Sequence, residues 1–112
     1  MEWYYDNLRE PLEDAPEWLE IERVYCLDFD RFNAGDWERL AQLYNKLPQR
    51  KPDSPAGCPW WFGTNEELEP FLWASVEPPG LQVYGVLDPK DWEMWDCNFR
   101  ALSAKLPKRV LR

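Results

Sequence analysis

The chain has 112 residues and a formal net charge of −8, which suits a single domain spanning residues 1–112 and excludes two independent cores. It contains no histidine, so the commonest general base and metal ligand is missing. The acidic balance opposes direct nucleic-acid binding, which needs clustered Lys and Arg.

No stretch approaches the roughly 20 apolar residues that span a bilayer. The start, Met1-Glu2-Trp3-Tyr4-Tyr5-Asp6, lacks the basic and apolar regions of a secretory signal. A cytoplasmic protein with no membrane association is therefore expected. Within residues 1–20, the least patterned part of the chain, Trp3 to Asp6 fits an edge strand. Asp14-Ala15-Pro16-Glu17 fits the start of a short helix through Trp18 and Leu19. The run Arg23 to Phe29 sets Val24 and Cys26 on one face and Tyr25, Leu27 and Phe29 on the other, with too little alternation for a half-exposed strand. A central strand is predicted.

Next comes Asn33-Ala34-Gly35-Asp36-Trp37, echoed later by Asp88-Pro89-Lys90-Asp91-Trp92. With Asn33 and Asp88 as N-caps, Asp36 and Asp91 occupy N3, where a carboxylate reaches back to the cap's amide, and Pro89 sits at N1. Phe32 and Leu87 are placed to pack on Trp37 and Trp92 as hydrophobic staples. One helix, about 34–47, continues through Leu40, Leu43, Tyr44 and Leu47 and stops before Pro48. The other, about 89–106, carries the stripe Trp92, Trp95, Phe99, Leu102 and Leu106 and stops before Pro107. On that spacing the second helix is about one turn longer.

Between the helices, the proline-rich loop 49–59 delivers Trp60-Trp61-Phe62 into a short edge strand. Neighbours in a strand point to opposite faces, so Trp60 and Trp61 cannot share one core. An acidic connection, Glu66-Glu67-Leu68-Glu69, follows. Phe71 to Val76 and Leu81 to Leu87 flank Glu77-Pro78-Pro79-Gly80 and read as a hairpin with a loop of two or four residues. One hairpin face is then Leu72, Ala74, Val76, Val83, Gly85 and Leu87, with small residues at 74 and 85 leaving room for large helix side chains. The other is Phe71, Trp73, Ser75, Glu77, Gln82, Tyr84 and Val86. The expected fold is α+β: a two-layer sandwich with both helices on one face of a three- to four-stranded, mainly antiparallel sheet.

Eight tryptophans need placing in so short a chain. Helix packing absorbs Trp37, Trp92 and Trp95. Trp3 and Trp18 have no assigned place, and Trp60, Trp61 and Trp73 are the functional candidates, because amphipathic aromatics are enriched at interface centres. The competing account buries them in a second small core, under the N-terminal segment or the long loop. The expected function is a non-enzymatic protein-binding module, an inhibitor or immunity-type partner of a basic protein. Its anchors are Trp60 or Trp61, Phe71, Trp73 and Tyr84, and Glu66, Glu67, Glu69 and Glu77 supply electrostatic steering.

Cys26, Cys58 and Cys97 have neither disulfide-framework nor zinc spacing, and no cofactor, metal or catalytic motif is signalled. Alternatives from other classes are a small enzyme using carboxylates or Cys58, a nucleic-acid-mimicking decoy, and a homodimer joined through the open sheet face.

Overall fold

The computed structural model describes residues 4–11, 17–52 and 57–109. Among these described residues six strands, Tyr4–Pro11 (β1), Leu19–Tyr25 (β2), Arg50–Lys51 (β3), Trp60–Trp61 (β4), Phe71–Glu77 (β5) and Gly80–Leu87 (β6), form one antiparallel sheet in the order β1-β2-β6-β5-β4-β3. Two helices, Ala34–Lys46 (α1) and Pro89–Leu102 (α2), complete an α+β fold. The sheet is wider than the three or four strands expected, because β1 and the two-residue β3 and β4 extend its edges. Among the described residues no helix is long and apolar enough to cross a membrane.

The central strand is displaced from its predicted span. β2 starts at Leu19, which pairs with Leu87, and ends at Tyr25, which pairs with Leu81. Glu17 and Trp18 therefore form a turn into a strand instead of a helix, and residues 14–16 lie outside the described residues. Past Tyr25 the chain leaves the sheet: Leu27 makes only an isolated bridge to Lys108, and Phe29–Arg31 is a 3-10 turn. β2 is nonetheless central, between β1 and β6. The expected N-terminal edge strand is β1, longer than Trp3 to Asp6 implied and irregular in register between Asp6 and Leu8; Trp3 itself lies outside the described residues.

In the β5–β6 hairpin Glu77 pairs with Gly80, Ala74 with Val83 and Leu72 with Gly85, so Pro78 and Pro79 alone make the loop and the predicted faces hold. Gly80 has φ 150°, and a Cβ there would lie 2.2 Å from the Tyr25 carbonyl oxygen. Gly85 is small for a different reason than the sequence suggested: a Cβ would lie 2.2 Å from the Phe71 carbonyl oxygen, so the neighbouring backbone demands glycine.

The first helix start follows its instruction. Asn33 Oδ1 accepts from the Asp36 amide at 2.8 Å, and Asp36 accepts from the Asn33 amide at 3.0 Å. Phe32 meets Trp37 edge-on at 4.9 Å and Phe29 stacks on it at 5.2 Å, yet Trp37 stays 42% exposed, a surface staple outside the core. At the second start Asp88 accepts from Lys90 at 2.8 Å, with Pro89 in the first turn. α1 ends before Pro48 as expected.

α2 ends at Leu102, a turn short of its proline. Ser103 Oγ donates to the Phe99 carbonyl, and past the helix end Lys108 Nζ donates to the carbonyls of Ser103, Ala104 and Leu106, so the turn that replaces the last helical turn has a donor for its carbonyls. Leu102 is consequently exposed, while Leu106 returns to the core. The helices are 13 and 14 residues long, so the extra turn is absent.

Both helices cover the same sheet face. Leu40, Leu43 and Tyr44 from α1 and Trp92, Trp95 and Phe99 from α2 share one buried cluster with Ile21, Tyr25, Leu72, Ala74, Val83 and Leu87. Each large apolar side chain buried there contributes about 1.5–3 kcal/mol.

Candidate binding face

On the face away from the helices the strand register sets one row across the sheet. Glu22 lies opposite Tyr84, Tyr84 opposite Trp73, Trp73 opposite Trp60, and Trp60 opposite Lys51. Strands about 4.8 Å apart bring such side chains into contact. Trp73 and Tyr84 approach to 5.7 Å between ring centroids, Phe71 and Tyr84 to 5.9 Å, and Trp60 and Phe71 to 5.9 Å, with the rings tilted at 41–48°. Trp60, Trp73 and Tyr84 are half-buried, whereas Phe71, Val86 and Val24 are buried and floor the face. The face thus has its own small apolar layer with amphipathic rings standing on it.

Carboxylates border those rings. Tyr84 donates its hydroxyl to Glu20 Oε2 at 2.9 Å. Burial pushes that hydroxyl up to about 12, helped by the bond to Glu20 and by the charges of Glu20, Glu66 and Glu22. Glu66 therefore makes itself felt at the rings from the 64–70 connection. At the turn end of the hairpin, Ser75 Oγ donates to Glu77 at 2.6 Å.

The residues expected to act together divide. Trp60, Phe71, Trp73 and Tyr84 form one ring cluster, with Glu66 nearby, although buried Phe71 supports the face more than it presents it. Glu67 and Glu69 are exposed in the connection, where the Glu67 amide donates to Asn65 Oδ1, and no bond ties either carboxylate to the rings. Trp61 leaves the anchor set. It points inward and is fully buried, donates Nε1 to the Tyr44 carbonyl at 3.1 Å, and meets Trp95 edge-on at 5.1 Å. Alternation along β4 forces this choice once Trp60 faces outward.

Glu20 and Glu22 were missed because the strand was predicted to begin at Arg23. The alternation Leu19-Glu20-Ile21-Glu22, apolar inward and acidic outward, was the signal for them.

A second polar feature lies between β2 and α2. A cleft of about 450 Å³ is bordered by Leu19, Arg23, Pro89, Trp92, Glu93, Asp96 and Arg100. Asp96 Oδ1 accepts from Arg23 at 2.6 Å and from Tyr25 at 2.5 Å, while its Oδ2 pairs with Arg100 at 3.2 Å. The Arg23 guanidinium lies 5.0 Å from the Trp92 ring centroid. Burial, then the Asp96 charge, raises the Tyr25 hydroxyl well above its ordinary value. Arg23, Asp96 and Trp92 are all buried. The node therefore belongs to the core beneath the cleft, and its carboxylate is occupied by three donors.

Burial also raises the Cys58 thiol, away from the thiolate a nucleophile needs. No acidic or cysteine cluster suited to a metal ion occurs among the described residues. The chain has no match among protein families, curated proteins or solved structures, so geometry alone carries the functional reading.

Proposed function

We propose that the protein is a non-enzymatic binding module that captures a basic protein on its outer sheet face, as an inhibitor or immunity-type partner does. The observation that carries this is the half-buried row Tyr84, Trp73 and Trp60 on the face opposite both helices, bordered by Glu20, Glu22, Glu66 and Glu77. Aromatic rings held in position by a packed floor lose little entropy on binding and supply large contact area. The surrounding carboxylates select a partner of opposite charge and speed its approach.

The test is affinity capture from native lysate with the wild-type chain and with the double variant Trp60→Ala/Trp73→Ala, at low salt and at about 0.5 M salt, where the Debye length shrinks to a few ångströms. A basic protein retained by the wild type, lost by the variant and weakened by salt is the expected result. Equal retention by both chains sinks the proposal. Sedimentation at several protein concentrations tests the other occupant of this face: self-association abolished by the same variant makes it a homodimer contact.

A further inference from the structure

The bond from Tyr84 to Glu20 fixes more than a pair of side chains. It turns the Glu20 carboxylate toward the aromatic row and occupies Oε2, while Oε1 meets no donor among the described residues. Beside it the Trp73 and Tyr84 rings meet at 44° with centroids 5.7 Å apart, a shallow aromatic angle at the border of the carboxylates. The charges of Glu66 and Glu22 reach the same hydroxyl. A cation that needs an aromatic face on one side and a fixed acceptor on the other fits this arrangement.

A guanidinium meets both needs. It is planar, weakly hydrated and stacks on rings, and it directs N–H groups in its own plane toward a carboxylate. An ammonium is compact and strongly hydrated and gains less from tilted ring faces. We infer that Glu20, Tyr84 and Trp73 form a receptor for one arginine side chain of the partner, its guanidinium lying on the two rings and its N–H edge on Glu20. This rests on the reading that the outer face binds a basic protein, and it names the anchor that such a partner presents. Tyr84 is a positioning residue as well as a ring, because its hydroxyl holds the acceptor.

Capped tetra-arginine, tetra-lysine and tetra-citrulline peptides, titrated into the full chain while the tryptophan indole N–H signals are followed by NMR, test the receptor. The Trp73 signal is identified by its loss in Trp73→Phe. Tetra-arginine is expected to shift the Trp73 signal, to leave that of buried Trp95 unmoved, and to bind about fivefold more tightly than tetra-lysine, the scale of one modest cation–π contact. Tetra-citrulline, isosteric but uncharged, is expected not to bind.

Glu20→Gln is expected to remove most of the arginine preference. Tyr84→Phe, which keeps a ring but releases Glu20, is expected to remove part of it. Should Glu20→Gln disturb the Trp61 and Trp95 signals, and so the fold, Tyr84→Phe decides alone. Equal affinity for the arginine and lysine peptides, or an arginine preference untouched in the folded variants, overturns the inference. If it is overturned while Trp60→Ala/Trp73→Ala still abolishes capture of a basic protein, only the arginine assignment falls. If capture survives that double variant, the binding reading falls with it.

Discussion

Trp60 and Trp61 are adjacent in sequence and lie on opposite sides of one sheet, so they compare its two faces directly. Trp61 enters a continuous core under both helices, with its indole N–H satisfied by the Tyr44 carbonyl and its ring edge against Trp95. Trp60 stands in a row of tilted, half-buried rings next to carboxylates. Even the charged groups differ in role. On the inner side Asp96 is enclosed by Arg23, Tyr25 and Arg100. On the outer side Glu20 accepts from the Tyr84 hydroxyl at Oε2, and its Oε1 meets no donor among the described residues. The inner face is thus a packed core in which the buried Trp95 Nε1 finds no partner among the described residues, while the outer face carries half-buried rings beside carboxylates.

The largest effects belong to the inner face. Trp61→Ala is expected to cost about 3–5 kcal/mol in urea denaturation, from lost transfer energy and a cavity among rings that cannot collapse around it. Asp96→Ala is expected to cost a similar amount, about 3–5 kcal/mol, because buried Arg23 loses the carboxylate that neutralises it. Asp96→Asn, which keeps an acceptor for Tyr25, should fall between Asp96→Ala and wild type. A loss below about 1 kcal/mol in either alanine variant shows that the inner face is less tightly determined than its burial implies.

Outer-face substitutions are expected to separate stability from binding. Trp73→Ala removes a half-buried ring and should cost about 1–2 kcal/mol, since only part of its apolar area returns to water, while abolishing capture of the partner. Phe99→Ala, in the stacked Trp92-Trp95-Phe99 series, is the reference at about 3–5 kcal/mol. If Trp73→Ala destabilises as much as Phe99→Ala, the second face is simply a second core, and the binding assignment loses its basis.

Local rules carried much of this into the sequence. The Asn33–Asp36 capping box, the Pro89 position, the proline stop after Leu47 and the parity of the hairpin faces all depend on residues within a few positions of one another. What was illegible depends on partners far along the chain. α2 ends at Leu102, and Lys108 reaches back to the Ser103 and Ala104 carbonyls of the turn that follows it, which the Lys105-Leu106-Pro107 signal does not announce. β2 begins at Leu19 because β6 extends to Leu87 opposite it. Arg23 and Asp96 are 73 residues apart, so neither advertises the other. The ring cluster was legible because alternation fixes faces once a hairpin register is known. Its acidic border was only half legible, since Glu20 and Glu22 sit on a strand whose start was misplaced.

The smallest predicted effect is also the most local test of the outer face. Tyr84 ionises at about 12 in the folded chain, against about 10 for an ordinary tyrosine. A folded value raised above the unfolded one means that the stabilisation linked to the protonated hydroxyl is fully present below pH ~10 and is lost as pH rises from ~10 toward 12. Glu20→Gln removes the carboxylate that accepts the bond and contributes charge, so the Tyr84 tyrosinate step should move to lower pH. It should remain above the ordinary value, because burial is the largest cause of the shift and persists. Tyr25 and Tyr44, raised chiefly by burial on the inner side, should ionise only as the fold is lost, in both chains. Tyrosinate absorbance read beside circular dichroism separates these events. A Tyr84 step that stays in place in Glu20→Gln shows that the hydroxyl does not hold this carboxylate in solution, and the fixed acceptor required for an arginine side chain is then missing.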